Sequence, residues 1–159
     1  MEQNKNMHNM QSMSYKKFSL MMIISFIIMY TVMFLNVIEL KHYHTSATRI
    51  YMAILMVAPM AVVMMLMMGK MYPNKKINIG ITVSSIVVFI VTLIALRAQT
   101  PIGDVQYMKA MVPHHSSAIL TSERADIKDP EVKKLSEEII KAQRKEIAEM
   151  EAFLDRLDK

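Results

Sequence analysis

Three long apolar runs come first in the chain, and a region where apolar and charged positions alternate follows them. Residues 18–38 are 21 positions without a charge. At about 1.5 Å per residue, a helix of that length crosses a hydrocarbon core of about 30 Å. Residues 50–68 form a second run with Pro59 inside it, where the lost backbone bond to Leu55 predicts a kink. Residues 77–96 form a third, rich in Ile and Val. The first run is too long, and lacks the small-residue exit, for a cleaved signal peptide, so it reads as a signal anchor. No run contains an ionisable residue. Pumps and proton relays place such residues inside the membrane, so the pattern predicts an anchor.

After Arg97 the period changes. Residues 97–103 read as a tether, with Thr100 or Asp104 capping a helix over 104–125. Residues 126–129 make a turn. Asp129-Pro130-Glu131 is a helix start: an acidic cap, proline in the first turn and a second acid beside it. The helix it opens, 130–157, carries its apolar seam on Val132, Leu135, Ile139, Ile140, Ile147, Met150, Leu154 and Leu157, with Gln143 the polar exception. A turn near Ile127 and Lys128 makes the two helices antiparallel neighbours, with Gln143 opposite Val112 and Met150 opposite Val105. A two-helix hairpin of about 55 residues has little core, and a second copy completes a four-helix bundle. The expected fold is all-α: a polar tail over 1–17, a three-span anchor over 18–96, the tether, and an extracytoplasmic helical domain over 104–159.

Charge adds orientation. Residues 1–96 carry eight Lys/Arg against two acids, and residues 97–159 carry eleven against twelve. The basic excess therefore belongs to membrane-flanking loops, and no basic patch marks a nucleic-acid reader. Lys5, Lys16, Lys17, Lys70, Lys75 and Lys76 flank one side, and Lys41, Arg49 and Arg97 the other. This places the N-terminus in the cytoplasm and the C-terminal domain outside a bacterial inner membrane, in the periplasm.

Composition bears on chemistry. Cysteine is absent, which excludes disulfides, Cys-based zinc sites, blue copper and thiol catalysis. Methionine supplies 19 of 159 residues. The eleven in the first two spans read as flexible apolar filler. The set in Met108-Lys109-Ala110-Met111-Val112-Pro113-His114-His115 is different. Met108, Met111 and His115 share one helical face, and His114 lies beside Met111. Met150 comes from the facing helix. Thioether is a soft ligand and imidazole a borderline one, a mixture that suits Cu(I) better than Mg, Ca or Mn. Pro113 cannot donate to the carbonyl of Lys109 and is expected to bend the helix just before the histidines. His42 and His44, with Glu39 and Tyr43 in the loop between the first two spans, are a possible accessory metal site. Met7, His8, Met10 and Met13 give the tail a Met/His character of its own.

Asp104, Met108, Met111-Val-Pro-His114-His115, Ala118-Ile119, Gln143, Glu146-Ile147 and Met150 resemble the CopM-like family, helical, ferritin-like copper-binding proteins of bacterial envelopes long catalogued as a domain of unknown function. The likeness covers about 104–157, and the three spans resemble a membrane-anchored branch. The chain departs from CopM itself in having one hairpin unit and three spans where CopM is a soluble tandem. The resemblance implies Cu(I) binding, and by the same softness Ag(I), outside the cytoplasm. Carried over by position, the ligands are Met108, Met111, His114, His115 and Met150, with Gln143 and Glu146 in support.

The expected function is copper tolerance or homeostasis, with the bilayer, a metal ion and a second copy as partners and no catalytic residues. An interaction module without metal is the alternative, its methionines being core. A metal oxidase is disfavoured, because di-iron bundles pair Glu-x-x-His motifs and the one instance, Glu39-Leu-Lys-His42, stands unpaired at a membrane boundary.

Overall fold

The computed structural model describes residues 2–68, 71–72 and 74–157, with side chains from Tyr15 onward. Among them it contains α1 (Glu2–Val32), α2 (Ala47–Met68), α3 (Lys75–Arg97), α4 (Asp104–Arg124) and α5 (Pro130–Leu157), a short 3-10 turn at Leu40–His42, and no strand. The chain divides into two compact units, Met1–Tyr30 with Ile50–Thr100, and Thr31–Arg49 with Pro101–Lys159.

The first unit holds the apolar helices. Tyr15–Val32, Ala47–Met68 and Lys75–Arg97 are each long and apolar enough to cross a membrane. Most of their large side chains point outward, among them Ile23, Ile27, Val63, Leu66, Val83 and Ile90. The inner contacts use small residues: Ala53, Ala58 and Ala61 are buried on α2. Small side chains let helices approach where lipid gives no hydrophobic drive to associate. At one end, Phe18, Ala61, Met65 and Tyr72 form a cluster. The Tyr15 hydroxyl donates to Asn78 Oδ1 at 2.8 Å, and the Asn78 amide donates to the Tyr72 carbonyl at 2.7 Å. Asn74 caps α3, accepting from the amides of Lys76 and Ile77. The far end of α3 closes through Gln99, whose φ of 50° lets Thr100 N bond Ala95 O and Gln99 N bond Leu96 O. Pro59 lies inside an uninterrupted α2. Lys70, used above to orient the chain, lies outside the described residues, as do the side chains of Met7, His8, Met10 and Met13.

α1 runs from Glu2, so the polar stretch before residue 18 continues the helix of the first span. Its other end corrects the expected span over 18–38. The helix stops at Val32, and the residues after it belong to the second unit. There Phe34 is buried, its ring 3.9 Å from that of Tyr43. The Arg49 guanidinium stacks over Phe34 at 4.2 Å and donates to the Met33 carbonyl.

In the second unit α4 and α5 pack along their length. Asp129 caps α5, its carboxylate accepting from Glu131 and Val132 at 2.9 and 3.0 Å. α4 starts at Asp104, but its cap is Gly103, with no side-chain bond, in place of the expected Thr100 or Asp104. The core is Met108, Val112, Ile119, Ile147 and Leu154, with Ile38, Val105, Ile140 and Met150 packed against it. Ser136 Oγ reaches the Ser122 carbonyl at 3.4 Å, and His115 meets Glu146. This register is displaced along α5 from the one a tight turn at Ile127–Lys128 predicts, because Ala125 leaves α4 in an extended conformation.

Candidate functional site

The Met/His residues of α4 do not share one environment. Met108 is a core residue with 6% of its surface exposed, and Met150 packs on the same core from α5. Met111 is half-buried, His114 is exposed, and Pro113 between them is fully buried inside an uninterrupted helix. The two imidazole rings lie 6.1 Å apart and are tilted by 58°, so the pair does not present a common face. Sequence spacing anticipated the shared seam of Met108 and Met150.

His115 is the member that turns inward, with 11% of its side chain exposed. Its Nδ1 lies 3.1 Å from Glu146 Oε2, yet the angles are not those of a hydrogen bond and the atom is buried without a partner. Gln143 Oε1, one turn before Glu146 on α5, is buried without a partner too. Buried polar atoms are nearly always satisfied, so two orphans close to a carboxylate mark a polar locus in an otherwise apolar seam. Burial pushes the His115 pKa down; the Glu146 carboxylate opposes this and His114 adds to it. The imidazole is thereby favoured in its neutral form, the form that ligates a metal. Among the described residues, no group of three His, Asp or Glu side chains converges as a metal site.

A second polar cluster was missed by the reading of residues. Ser116, fully buried, accepts from the Ile38 amide at 2.8 Å and sits 2.9 Å from His42 Nδ1. His42 is 3% exposed, and its Nε2 lies 3.7 Å from Glu151 Oε1. The Asn36 amide donates to Ser117 Oγ at 2.6 Å, and the Ala47 amide donates to Gln106 Oε1 at 2.9 Å. Residues 36–47 are therefore fastened along α4. His42, expected as an accessory ligand, is buried with its Nδ1 at Ser116 Oγ and its Nε2 facing Glu151 of α5, while His44 is half-buried. Glu39 pairs with Lys41 at 3.1 Å, and that cation holds its carboxyl below the usual range. A signal for the cluster was present: Ser116 follows Val112 by four and precedes Ile119 by three, a polar residue on an apolar seam.

Comparison with known proteins places these helices in a family. Residues 95–159 match the model described as DUF305, a domain of unknown function. The chain is 38% identical over 107 residues to "Uncharacterized protein L153" of Acanthamoeba polyphaga mimivirus, covering 66% of this chain and 68% of that protein. That alignment is longer than the matched domain, so it takes in residues before position 95 as well. No solved structure gives a significant match.

Proposed function

The chain belongs to the DUF305 family, and from that premise we propose that it is a membrane-anchored protein that binds copper, as Cu(I), for tolerance or homeostasis. Copper is cargo in this reading. The observation that supports it best is the buried Nδ1 of His115, which faces the Glu146 carboxylate at 3.1 Å without a hydrogen bond, on the same helix pair as the equally unbonded, buried Oε1 of Gln143. Burial favours the neutral imidazole, the form suited to a metal, over the imidazolium that the Glu146 carboxylate favours. Met108 and Met150 bring thioethers to the same helix pair, Met111 and His114 lie within a turn of His115, and Glu146 offers an oxygen. Thioethers have no proton to lose, so protons compete only at the imidazoles. The same softness admits Ag(I). The three apolar helices form the anchor, with the N-terminus cytoplasmic and α4–α5 as a helical hairpin on the outer face.

A second reading, a metal-free assembly module, draws on the placement of Met108 in the core and on the exposed side of His114. One experiment separates the two. Full-length protein in detergent is titrated with Cu(I) against a chromophoric chelator, beside a His114→Ala/His115→Ala variant of unchanged helicity. Tight saturable binding lost in the variant is the expected result. A folded wild type that leaves the chelator loaded, or a variant that binds equally well, overturns the copper reading in favour of the module.

A further inference from the structure

We infer that the end of the first unit bearing Lys16, Lys17, Lys75 and Lys76 seats in a layer of anionic phospholipid headgroups and selects those lipids over neutral ones. The inference rests on the membrane reading of the apolar helices and does not depend on copper. Charge in this unit is one-sided. Over residues 1–30 and 50–100 there are seven basic residues, Lys5, Lys16, Lys17, Lys70, Lys75, Lys76 and Arg97, and one acid, Glu2. Glu2 stands fourteen residues before Lys16 on the same helix. That is about 21 Å, more than twice the screening length of about 8 Å in physiological salt. The unit therefore supplies no carboxylate to answer the four lysines, and their counter-charge has to come from outside it.

Contacts show where the lysines stand. The Tyr15 hydroxyl lies within bonding distance of Asn78 Oδ1 and of the Asn74 carbonyl. The Tyr72 ring is 5.4 Å from that of Tyr15 and 5.9 Å from that of Phe18. The start of the first apolar helix, the end of the second and the start of the third thus meet at one end. The other end is marked by Tyr51, whose hydroxyl donates to the Thr100 carbonyl at 2.6 Å, and Arg97 is the unit's one cation there. Tyr15 and Phe18 face Tyr72, so Lys16 and Lys17 between them fall on the outer half of α1. Asn78 faces Tyr15, which leaves Lys76 on the outer side of α3 and Lys75 at its flank. All four lysines are exposed. They ring the end and do not converge on one point, an arrangement that suits a layer of separate headgroups and not a single bound ion. Lys75 and Lys76 also open α3, whose first turn has no acid. Cations there oppose the helix dipole, and anions outside the chain offset that cost. Tyr15 and Tyr72 mark the depth at which tyrosine favours the boundary between acyl chains and headgroups, and lysine stems reach outward from that depth. Each lysine near an anionic surface strengthens its attraction about fivefold.

The test uses full-length protein reconstituted in vesicles of phosphatidylcholine with a minority of phosphatidylglycerol. Electron spin resonance of chain-labelled forms of the two lipids reads the share of each that the protein holds immobile. The wild type is expected to hold phosphatidylglycerol about fivefold over phosphatidylcholine. At about 1 M sodium chloride, where the screening length is about 3 Å, the preference is expected to vanish. Lys16→Gln/Lys17→Gln/Lys75→Gln/Lys76→Gln is expected to bring the ratio near one, and arginine at the same four positions to keep it. Removing as much charge from α5, with Lys133→Gln/Lys134→Gln/Lys141→Gln/Lys145→Gln, is expected to leave it unchanged. Circular dichroism checks that helicity is kept. A wild type that floats with the vesicles and holds both lipids equally overturns the inference and leaves the membrane reading standing. Selection that survives the first glutamine set, or that the α5 set abolishes as well, overturns it too. A wild type that does not float with the vesicles overturns the membrane reading and this inference with it.

Discussion

Ile90 in α3 and Ile119 in α4 are the same side chain in two settings, 49% exposed in one and 1% in the other. The first unit points most of its large apolar residues outward and buries alanines of α2 and one cluster around Phe18, Met65 and Tyr72. The second buries its apolar residues and adds polar groups to the interior, Ser116, His42 and Gln143 among them. The difference teaches what each unit is matched to. A helix long and apolar enough to cross a membrane gains nothing from hiding its isoleucines, and its packing specificity comes from close backbone approach. A helix pair in water must gain from every apolar atom, and a polar atom inside it has to be bonded or used.

The comparison can be broken at its strongest point. Ile119→Ala is expected to cost the second unit about 3 kcal/mol, through lost burial and the cavity left behind. Ile90→Ala is expected to cost about 0.5 kcal/mol or less, as an exposed change. Region-resolved hydrogen exchange of the full chain in detergent measures both, and equal effects would contradict the contrast. Next in size is Ser116→Ala. It strands the Ile38 amide and removes the partner of His42 Nδ1, at a cost of about 2 kcal/mol. Exchange at the Ile38 amide is expected to speed up roughly thirtyfold, with the first unit unaffected. The smallest effect is a pH dependence. His115 has a lowered pKa in the folded protein, against 6.5 for the free group. Between those values the unfolded chain carries a proton that the folded one lacks, so stability is complete above about pH 6.5 and declines as pH falls below it. Thermal melts of α4–α5 signals between pH 7.5 and 5.5 are expected to show this slope, and His115→Gln to flatten it. A slope of the opposite sign would mean that Glu146 outweighs burial.

Much of the helical layout was legible because local chemistry and global packing agree. Asp129-Pro130-Glu131 starts α5 in the structure as it does on paper, and the seam through Ile147 and Leu154 is the buried one. The end of the first span was not legible. Hydropathy rates Phe34, Val37 and Ile38 as membrane residues because it measures transfer out of water and is blind to the destination. Phe34 and Ile38 leave water against the second unit. Of the candidate residues, Met108 and Met150 belong to one core, as their places on facing seams suggest. The same spacing sets His115 on the apolar face and His114 about 100° off it, and the structure has the first turned inward and the second exposed; the closeness of Glu146 to His115 was not legible, because it depends on the register of α5 against α4.

The fastening of residues 36–47 to α4 has a consequence for how the protein is made. Asn36 and Ser117 are 81 residues apart in sequence, and Ala47 and Gln106 are 59 apart. Synthesis at roughly 5–20 residues per second leaves the loop waiting about 4–16 seconds before its partner helix is finished. Through that interval Ile38 lacks the α4–α5 core that covers it, while Phe34 already has Tyr43 and Arg49. The loop closes late, after α2 and α3 have been synthesised, so a late step of folding joins the earliest part of the second unit to a newer one.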